Sequence, residues 1–427
     1  MTSIELGFGF IGLLIFLILV RVPIGVALIG VSFLGLWSLV GWRIAWASLG
    51  TIPYQFASSW VLSSVPTFLF MGFVCYHTRL TQGLFDSARV WFSALPGGLA
   101  IASVFGCAGF AAVTGSSIAC SAAMGKIAVP EMVRHRYSPE LATGTVAAAG
   151  TIGAMIPPSI LMILYGIIAQ VPITRLFVGG IIVGLITMVA YVLVILVRVK
   201  LNPALAPNNP EPVPLAERIR SLVEIWPILL IILVVFGGLF SGIFTPTEAG
   251  AMGAFMSCVV ALIKRTLTWT ALREASVETL VTTASLLIIA IGASLLTRFL
   301  ALSGSGDAIS STVLSLGANP LLIIIMITLV YLLLGMFLEP IGAMLLTLPV
   351  VLPIVDESGF GLIWFGVLLT KLLEIGMLTP PIGMNVFVIK GAVGNLVTTT
   401  AIFRGVTWFL AADFIIVAAM IAYHFLG

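Results

Sequence analysis

Charge is what this sequence has least of. Asp, Glu, Lys and Arg make up only 8% of its 427 residues and nearly cancel, to a net +3. Soluble domains carry about a quarter charged residues. A soluble fold of this length still needs a large polar exterior, yet 60% of these residues are apolar. The shortage excludes a soluble enzyme, a nucleic-acid-binding protein and a disordered chain. It leaves a protein that crosses a lipid bilayer several times. Cysteine is sparse too. Cys75, Cys107, Cys120 and Cys258 lie in apolar stretches with no CxxC pair. They read as small packing residues and not as a disulfide framework or zinc site.

Catalytic signals are equally thin. The three histidines, His77, His135 and His424, have no metal-ligand spacing, and no Walker A motif supplies ATP-driven work. Gly304-Ser305-Gly306-Asp307 matches the GxGD of intramembrane aspartyl proteases, and Pro203-Ala204-Leu205 matches their PAL triplet. No Tyr-Asp dipeptide supplies the second aspartate, and PAL precedes GxGD instead of following it. One carboxylate cannot run two-carboxylate chemistry. A rhomboid-like Ser/His pair fails because no histidine falls in a predicted membrane core. The chain reads as a non-enzyme.

Apolar runs long enough to span begin near Ile4, Pro23, Tyr54, Leu176, Leu222, Pro246, Val277 and Ile402. The Ile4–Val20 run follows no basic segment and reads as a span, not a cleaved signal. Ser93–Ala123 and Leu316–Leu346 are apolar but interrupted by Gly, Ser or Pro. Leu141–Gln170 and Phe360–Lys390 are too long for one straight crossing, and each carries a double proline. The stretch 200–221 holds Pro203, Pro207, Pro210, Pro212 and Pro214 and reads as a polar, extended linker outside the membrane.

The halves on either side align at one offset. Pro23 meets Pro246, Gly30 meets Gly253, Pro130 meets Pro353, and Pro157-Pro158 meets Pro380-Pro381, each 223 residues on. Both copies read I-G-x-x-x-P-P. Loops of the first copy carry Arg21, Arg79, Arg89, Arg134 and Arg136. The corresponding loops of the second carry Glu248, Asp307, Asp356 and Glu357. Basic loops face the cytoplasm, so the copies read as inverted, with both termini outside. The expected fold is an all-α polytopic membrane protein of two inverted repeats, 1–199 and 222–427. Each has scaffold spans, a re-entrant helical hairpin (about 92–133 and 315–354) and a discontinuous helix (about 140–170 and 360–390). Secondary transporters build midplane sites from such parts.

Four breaks should therefore converge. New helix starts offer unpaired N–H groups to an anion, and broken ends offer carbonyls to a hard cation. One sodium site is expected at Ser116, Ser117 and the main chain of Gly150, Gly153, Ile156 and Pro158. A second is expected at Gly335, Glu339, Gly376, Thr379 and Pro381, with Thr379-Pro380 opening a new helix in mid-membrane. A substrate anion would then meet Thr114, Gly115, Pro157, Pro340 and Pro380, with Asn385 and Arg298 as further contacts. Glu339 reads as a ligand, a proton carrier or a cap. Arg298 reads as a carboxylate partner or as snorkelling to the interface. Lys371 and Glu374, at i and i+3, are expected to form a structural ion pair. Asp413 is left between a partner helix and the bundle interior.

Longer matches now carry a resemblance. Gly83-Leu84-Phe85-Asp86-Ser87-Ala88, Leu95-Pro96-Gly97-Gly98-Leu99-Ala100, Phe110-Ala111-Ala112-Val113-Thr114-Gly115-Ser116-Ser117 and Gly150-Thr151-Ile152-Gly153-Ala154-Met155-Ile156-Pro157-Pro158-Ser159 resemble the large membrane subunit of TRAP (tripartite ATP-independent periplasmic) transporters. His135-Arg136-Tyr137 departs from the family's Gly-Tyr in a cytoplasmic loop. The resemblance implies a multi-pass protein of the bacterial inner membrane, of elevator type within the ion transporter superfamily. It implies Na+ as coupling ion, no organic cofactor, and a carboxylate substrate such as sialic acid or a C4-dicarboxylate. It also implies a small four-helix membrane subunit and a periplasmic substrate-binding protein as partners. A proton-coupled organic-anion transporter is the alternative.

Overall fold

The computed structural model describes residues 2–207, 213–315 and 319–426. Every regular element among them is helical. Seven helices are long and apolar enough to cross a membrane, or eight when Leu215–Glu224 and Trp226–Phe240, bent by 53°, count as one span. The chain is a polytopic membrane protein.

Helix ends follow local chemistry. Thr245 and Glu248 form a capping box before Pro246–Ile263: the Thr245 N–H donates to Glu248 Oε2 at 2.8 Å, and the Glu248 N–H donates to Thr245 Oγ1 at 3.4 Å. Pro246 takes the first position, where a missing N–H costs nothing. Small residues decide the closest packing. Pro139–Gly150 is buried at every residue from Leu141 on. It lies on Thr399–Leu426 where Gly144 meets Gly405, and a Cβ at either glycine would overlap the other's backbone. Close backbone approach of this kind holds membrane helices together where hydrophobicity cannot.

Both interrupted regions fold as helical hairpins. The first joins Gly98–Thr114 to Ser117–Arg134 across Gly115 and Ser116. The second joins Pro320–Gly335 to Pro340–Glu357 across 336–339. Both long runs break at their prolines. Pro139–Gly150 and Ile152–Met155 stop before Pro157-Pro158, and the chain resumes as Ile160–Ile168. Leu362–Gly376 stops before Pro380-Pro381 and resumes as Met384–Val393. Two pairs of helices share boundaries at one spacing. Gln82–Phe92 and Ser305–Ser315 start and end 223 residues apart, and so do Ser117–Arg134 and Pro340–Glu357.

Four expectations need correction. The apolar run near Tyr54 is not one span: Trp42–Ala57 ends there, and Trp60–Ser63 with Ser64–His77 makes the next. The run near Val277 belongs to a single 35-residue helix, Trp269–Ser303. The linker is less extended than its prolines suggest. Ile173–Leu201 reaches into it, Pro203–Leu205 is a turn of 3-10 helix, and Leu215–Glu224 is an amphipathic helix. Pro210 and Pro212 lie outside the described residues. Finally, Thr379-Pro380 opens no helix. The new helix begins at Met384, and Gly383, at φ 57°, supplies the left-handed turn before it.

Candidate functional site

The first hairpin tip is pinned to the first broken helix by shape. Gly115 sits at φ 61°, and a Cβ there would overlap the Pro158 carbonyl. A Cβ on Gly153 would lie 3.1 Å from Ser116 and Ser117 backbone, and one on Gly150 would overlap the Ser121 hydroxyl. Ser116 caps the second arm by accepting from the Ala119 N–H at 3.4 Å. Thr114 donates to the Phe110 carbonyl at 3.0 Å. Ile156 ends the broken half-helix, its N–H donating to Ile152 at 3.0 Å. Pro157 and Pro158 are buried. Ser159, not among the expected site residues, caps the resumed half by accepting from the Met162 N–H at 3.3 Å. A serine directly after a double proline was its signal.

The second tip meets the second broken helix in the same manner. A Cβ on Gly335 would lie 3.0 Å from the Gly376 Cα. Glu339 holds the N-cap position before Pro340, but its side chain makes no capping hydrogen bond. Thr379 donates to the Ile375 carbonyl at 2.7 Å. Pro380 and Pro381 are exposed. Asn385 is fully buried, and neither its Oδ1 nor its Nδ2 has a hydrogen-bond partner.

The two tips also meet each other. A cavity of about 60 Å³ lies between them, lined by Gly115–Ile118 of the first tip, Glu339–Ile341 of the second, and Glu374 and Met377 of the second broken helix. It adjoins a chamber of about 430 Å³ walled by Tyr76, Thr114, Ser116, Glu278, Thr282 and Glu339, among others. Ser116 and Glu339 line both.

Glu374 was expected elsewhere. It is 1% exposed, and Ser117 Oγ donates to its Oε1 at 2.6 Å. Lys371 does not pair with it. Lys371 Nζ lies 2.6 Å from Asp413 Oδ1 and 3.1 Å from Thr187 Oγ1. Tyr191 donates to Asp413 Oδ2 at 2.8 Å. Asp413 therefore faces the bundle interior. Arg298 is exposed on Trp269–Ser303 and lines neither cavity, so the structure leaves it out of the site.

A polytopic helical protein whose two hairpin tips and two helix breaks meet around paired cavities is built as a membrane transport protein. The model of the family "Tripartite ATP-independent periplasmic transporter, DctM component" matches residues 11–425. The chain belongs to that family, the TRAP large permeases. It is 34% identical over 351 residues to the C4-dicarboxylate TRAP transporter large permease protein DctM of Pseudomonas aeruginosa, covering 81% of each chain. It is 30% identical over 416 residues to the sialic acid TRAP transporter large permease protein SiaM of Vibrio cholerae, covering 96% of this chain and 94% of that one. The isethionate TRAP transporter permease protein DctMQ of Oleidesulfovibrio alaskensis is 32% identical over 353 residues; they cover 82% of this chain and 54% of that longer protein. Among solved structures, the YdaH transporter of Alcanivorax borkumensis superposes with a TM-score of 0.65 over 91% of this chain and 89% of that one, at 14% identity. That likeness concerns fold alone.

Proposed function

We propose that this chain is the large membrane subunit of a sodium-coupled TRAP transporter that imports carboxylates. Its substrate would be of the C4-dicarboxylate or sialic acid kind, delivered by a periplasmic substrate-binding protein. A small four-helix subunit would complete the complex in the bacterial inner membrane. One observation carries the reading: both hairpin tips and both helix breaks meet around two adjoining cavities, one of cation size and one of substrate size.

The residues suit a hard cation. Glu374 Oε2 and Asn385 Oδ1 are buried acceptors without partners, and oxygen ligands of this kind suit sodium. Ser116, Ser117 and the carbonyls of Gly150, Gly153, Ile156 and Pro158 would hold one ion. Glu339, Thr379 and the carbonyls of Gly335, Gly376 and Pro381 would hold another. Thr379 keeps its oxygen lone pairs free while donating to Ile375. The second arms, starting at Ser117 and Pro340, turn their N-termini to the cavities, and Thr114, Gly115, Pro157, Pro340 and Pro380 would frame the carboxylate there.

We read the halves as inverted repeats joined by the segment 200–221; helix boundaries recurring at 223 residues support the repeat, and basic loops in one copy against acidic loops in the other support the inversion. Hairpins and broken helices would form a body that moves as a unit. A second apolar core, with Leu14, Leu28, Leu36 and Phe299, joins the first three helices to Trp269–Ser303 and suits a scaffold.

The test is uptake by proteoliposomes holding the chain with its small subunit and binding protein. Radiolabelled succinate, sialic acid and isethionate are offered in turn. Accumulation of succinate or sialic acid under an inward sodium gradient, abolished by choline replacement, is expected; uptake of the sulfonate isethionate alone would contradict the carboxylate class. Accumulation driven by a pH gradient without sodium would replace this reading with proton coupling.

A further inference from the structure

The chamber of about 430 Å³ has walls of two origins. The hairpin tips supply Thr114, Ser116 and Glu339, and the helices Ser64–His77 and Trp269–Ser303 supply Tyr76, Glu278 and Thr282. The charged residues that line it are both acids, Glu278 and Glu339, and its described lining holds no Lys, Arg or His. An anion entering the chamber therefore meets like charge on either wall.

A neighbour holds Glu278 in place. His77 Nε2 lies 3.3 Å from Glu278 Oε2, and His77 Nδ1 lies 3.2 Å from Oε2 of Glu274, one turn earlier on the same helix. The Nε2 contact is one of charge without an aligned hydrogen bond. A carboxylate has about four acceptor positions, so Glu278 can still accept from a ligand. Even a protonated imidazole brings one positive charge against two carboxylates, which leaves the cluster net negative. Arg79 and Lys264 line a separate polar space of about 590 Å³ on the far side of His77, where Asp86 and Glu224 oppose them. They do not line the chamber.

We propose that Glu278 is a charge-selecting residue of the chamber. It disfavours a second carboxylate on the substrate, and it accepts hydrogen bonds from the hydroxyl or amide groups of a substrate that has only one. The proposal rests on reading the chamber as the substrate site, and it narrows the two substrate kinds to the singly charged one. In that reading a sodium ion offsets Glu339, whereas Glu278 stands on the other wall with half of one imidazole. Selectivity of this sort comes from repelling the wrong ligand as much as from holding the right one. The remaining polar lining agrees, because Tyr76, Thr114, Ser116 and Thr282 present hydroxyls to a hydroxyl-rich acid.

The experiment compares succinate with succinamate, the same four-carbon chain with one carboxylate replaced by an amide, and with sialic acid. Each is titrated against the thermal midpoint of the purified full chain in sodium chloride, for wild type and Glu278→Gln. Wild type should reach half its rise at an at least fivefold lower concentration of succinamate than of succinate. In Glu278→Gln the succinate requirement should fall at least fivefold, with succinamate and sialic acid within twofold of wild type. A residue that only supports the fold would move all three alike. Succinate acting as well as succinamate on wild type, or an unchanged gap in Glu278→Gln, overturns the charge selection and leaves the chamber standing as the substrate site. If wild type answers to sialic acid alone, Glu278→Gln must gain a response to succinate, or the assignment falls. No response to any of the three overturns both readings. Should Glu278→Gln fail to fold, wild type carries the test: added choline chloride should shrink the gap between succinate and succinamate at least twofold by screening, and a gap insensitive to salt overturns the proposal.

Discussion

Lys371 turns away from Glu374, its neighbour on the next turn, and pairs with Asp413 at 2.6 Å, both side chains being 1% exposed. The pair ties Leu362–Gly376 to Thr399–Leu426, and Thr187 and Tyr191 bring in Ile173–Leu201. A buried pair is worth little over apolar replacements, but leaving one charge alone costs about 3–5 kcal/mol. Lys371→Met is therefore expected to destabilise the protein by about that amount. Lys371→Met with Asp413→Asn, which still accepts from Tyr191, should recover most of it. Denaturation midpoints of the two variants in one detergent check this, and equal losses would contradict it.

Gly115 tests the hairpin's seat. Its φ of 61° favours glycine, and a Cβ would overlap the Pro158 carbonyl. Gly115→Ala should displace the tip and reduce sodium-driven uptake at least tenfold in proteoliposomes. Gly30→Ala, with nothing within 4 Å of the added Cβ, is the matched control and should change uptake less than twofold.

Arg298 supplies the converse. It is exposed and lines neither cavity. Arg298→Gln should leave the concentration of substrate for half-maximal uptake within twofold of wild type. A tenfold rise would return it to the site.

Asp86 gives a pH dependence outside the spans. It sits on the short amphipathic helix Gln82–Phe92. Burial raises its carboxyl above the ordinary aspartate value; Arg89 opposes this, and Glu224 and Glu131 add to it. A raised native value means the fold favours the protonated acid. The ionised form costs stability above that value, and the cost disappears as pH falls through it. Asp86→Asn should raise the thermal midpoint at neutral pH, with the gap closing in acid. A gap that is constant with pH would assign the effect to something other than charge.

The sequence carried the architecture because the bilayer restricts the choices. Apolar length marks the spans, and Gly and Pro mark where helices must stop. Ser117 and Pro340 were both legible as starts of second arms for that reason. Side-chain partners were less legible. Lys371 and Glu374 have ideal spacing for each other, but spacing along one helix says nothing of Asp413, which packing brings in from 42 residues later. Around Lys371 one buried cation stands near two buried acids, Glu374 and Asp413, and its bond to Asp413 leaves Glu374 without it. Thr379 before Pro380 matched a helix start by composition. The chain instead delays the start to Gly383, whose left-handed conformation few other residues adopt.

The most direct test of the central claim is equilibrium binding of radiolabelled sodium to the purified chain, by scintillation proximity, with lithium, potassium and choline as competitors. The account predicts saturable binding that unlabelled sodium displaces and choline does not, with loss of affinity in Ser117→Ala and Thr379→Val. Binding that fails to saturate, or that choline displaces as well as sodium does, would contradict a cation site at the hairpin tips.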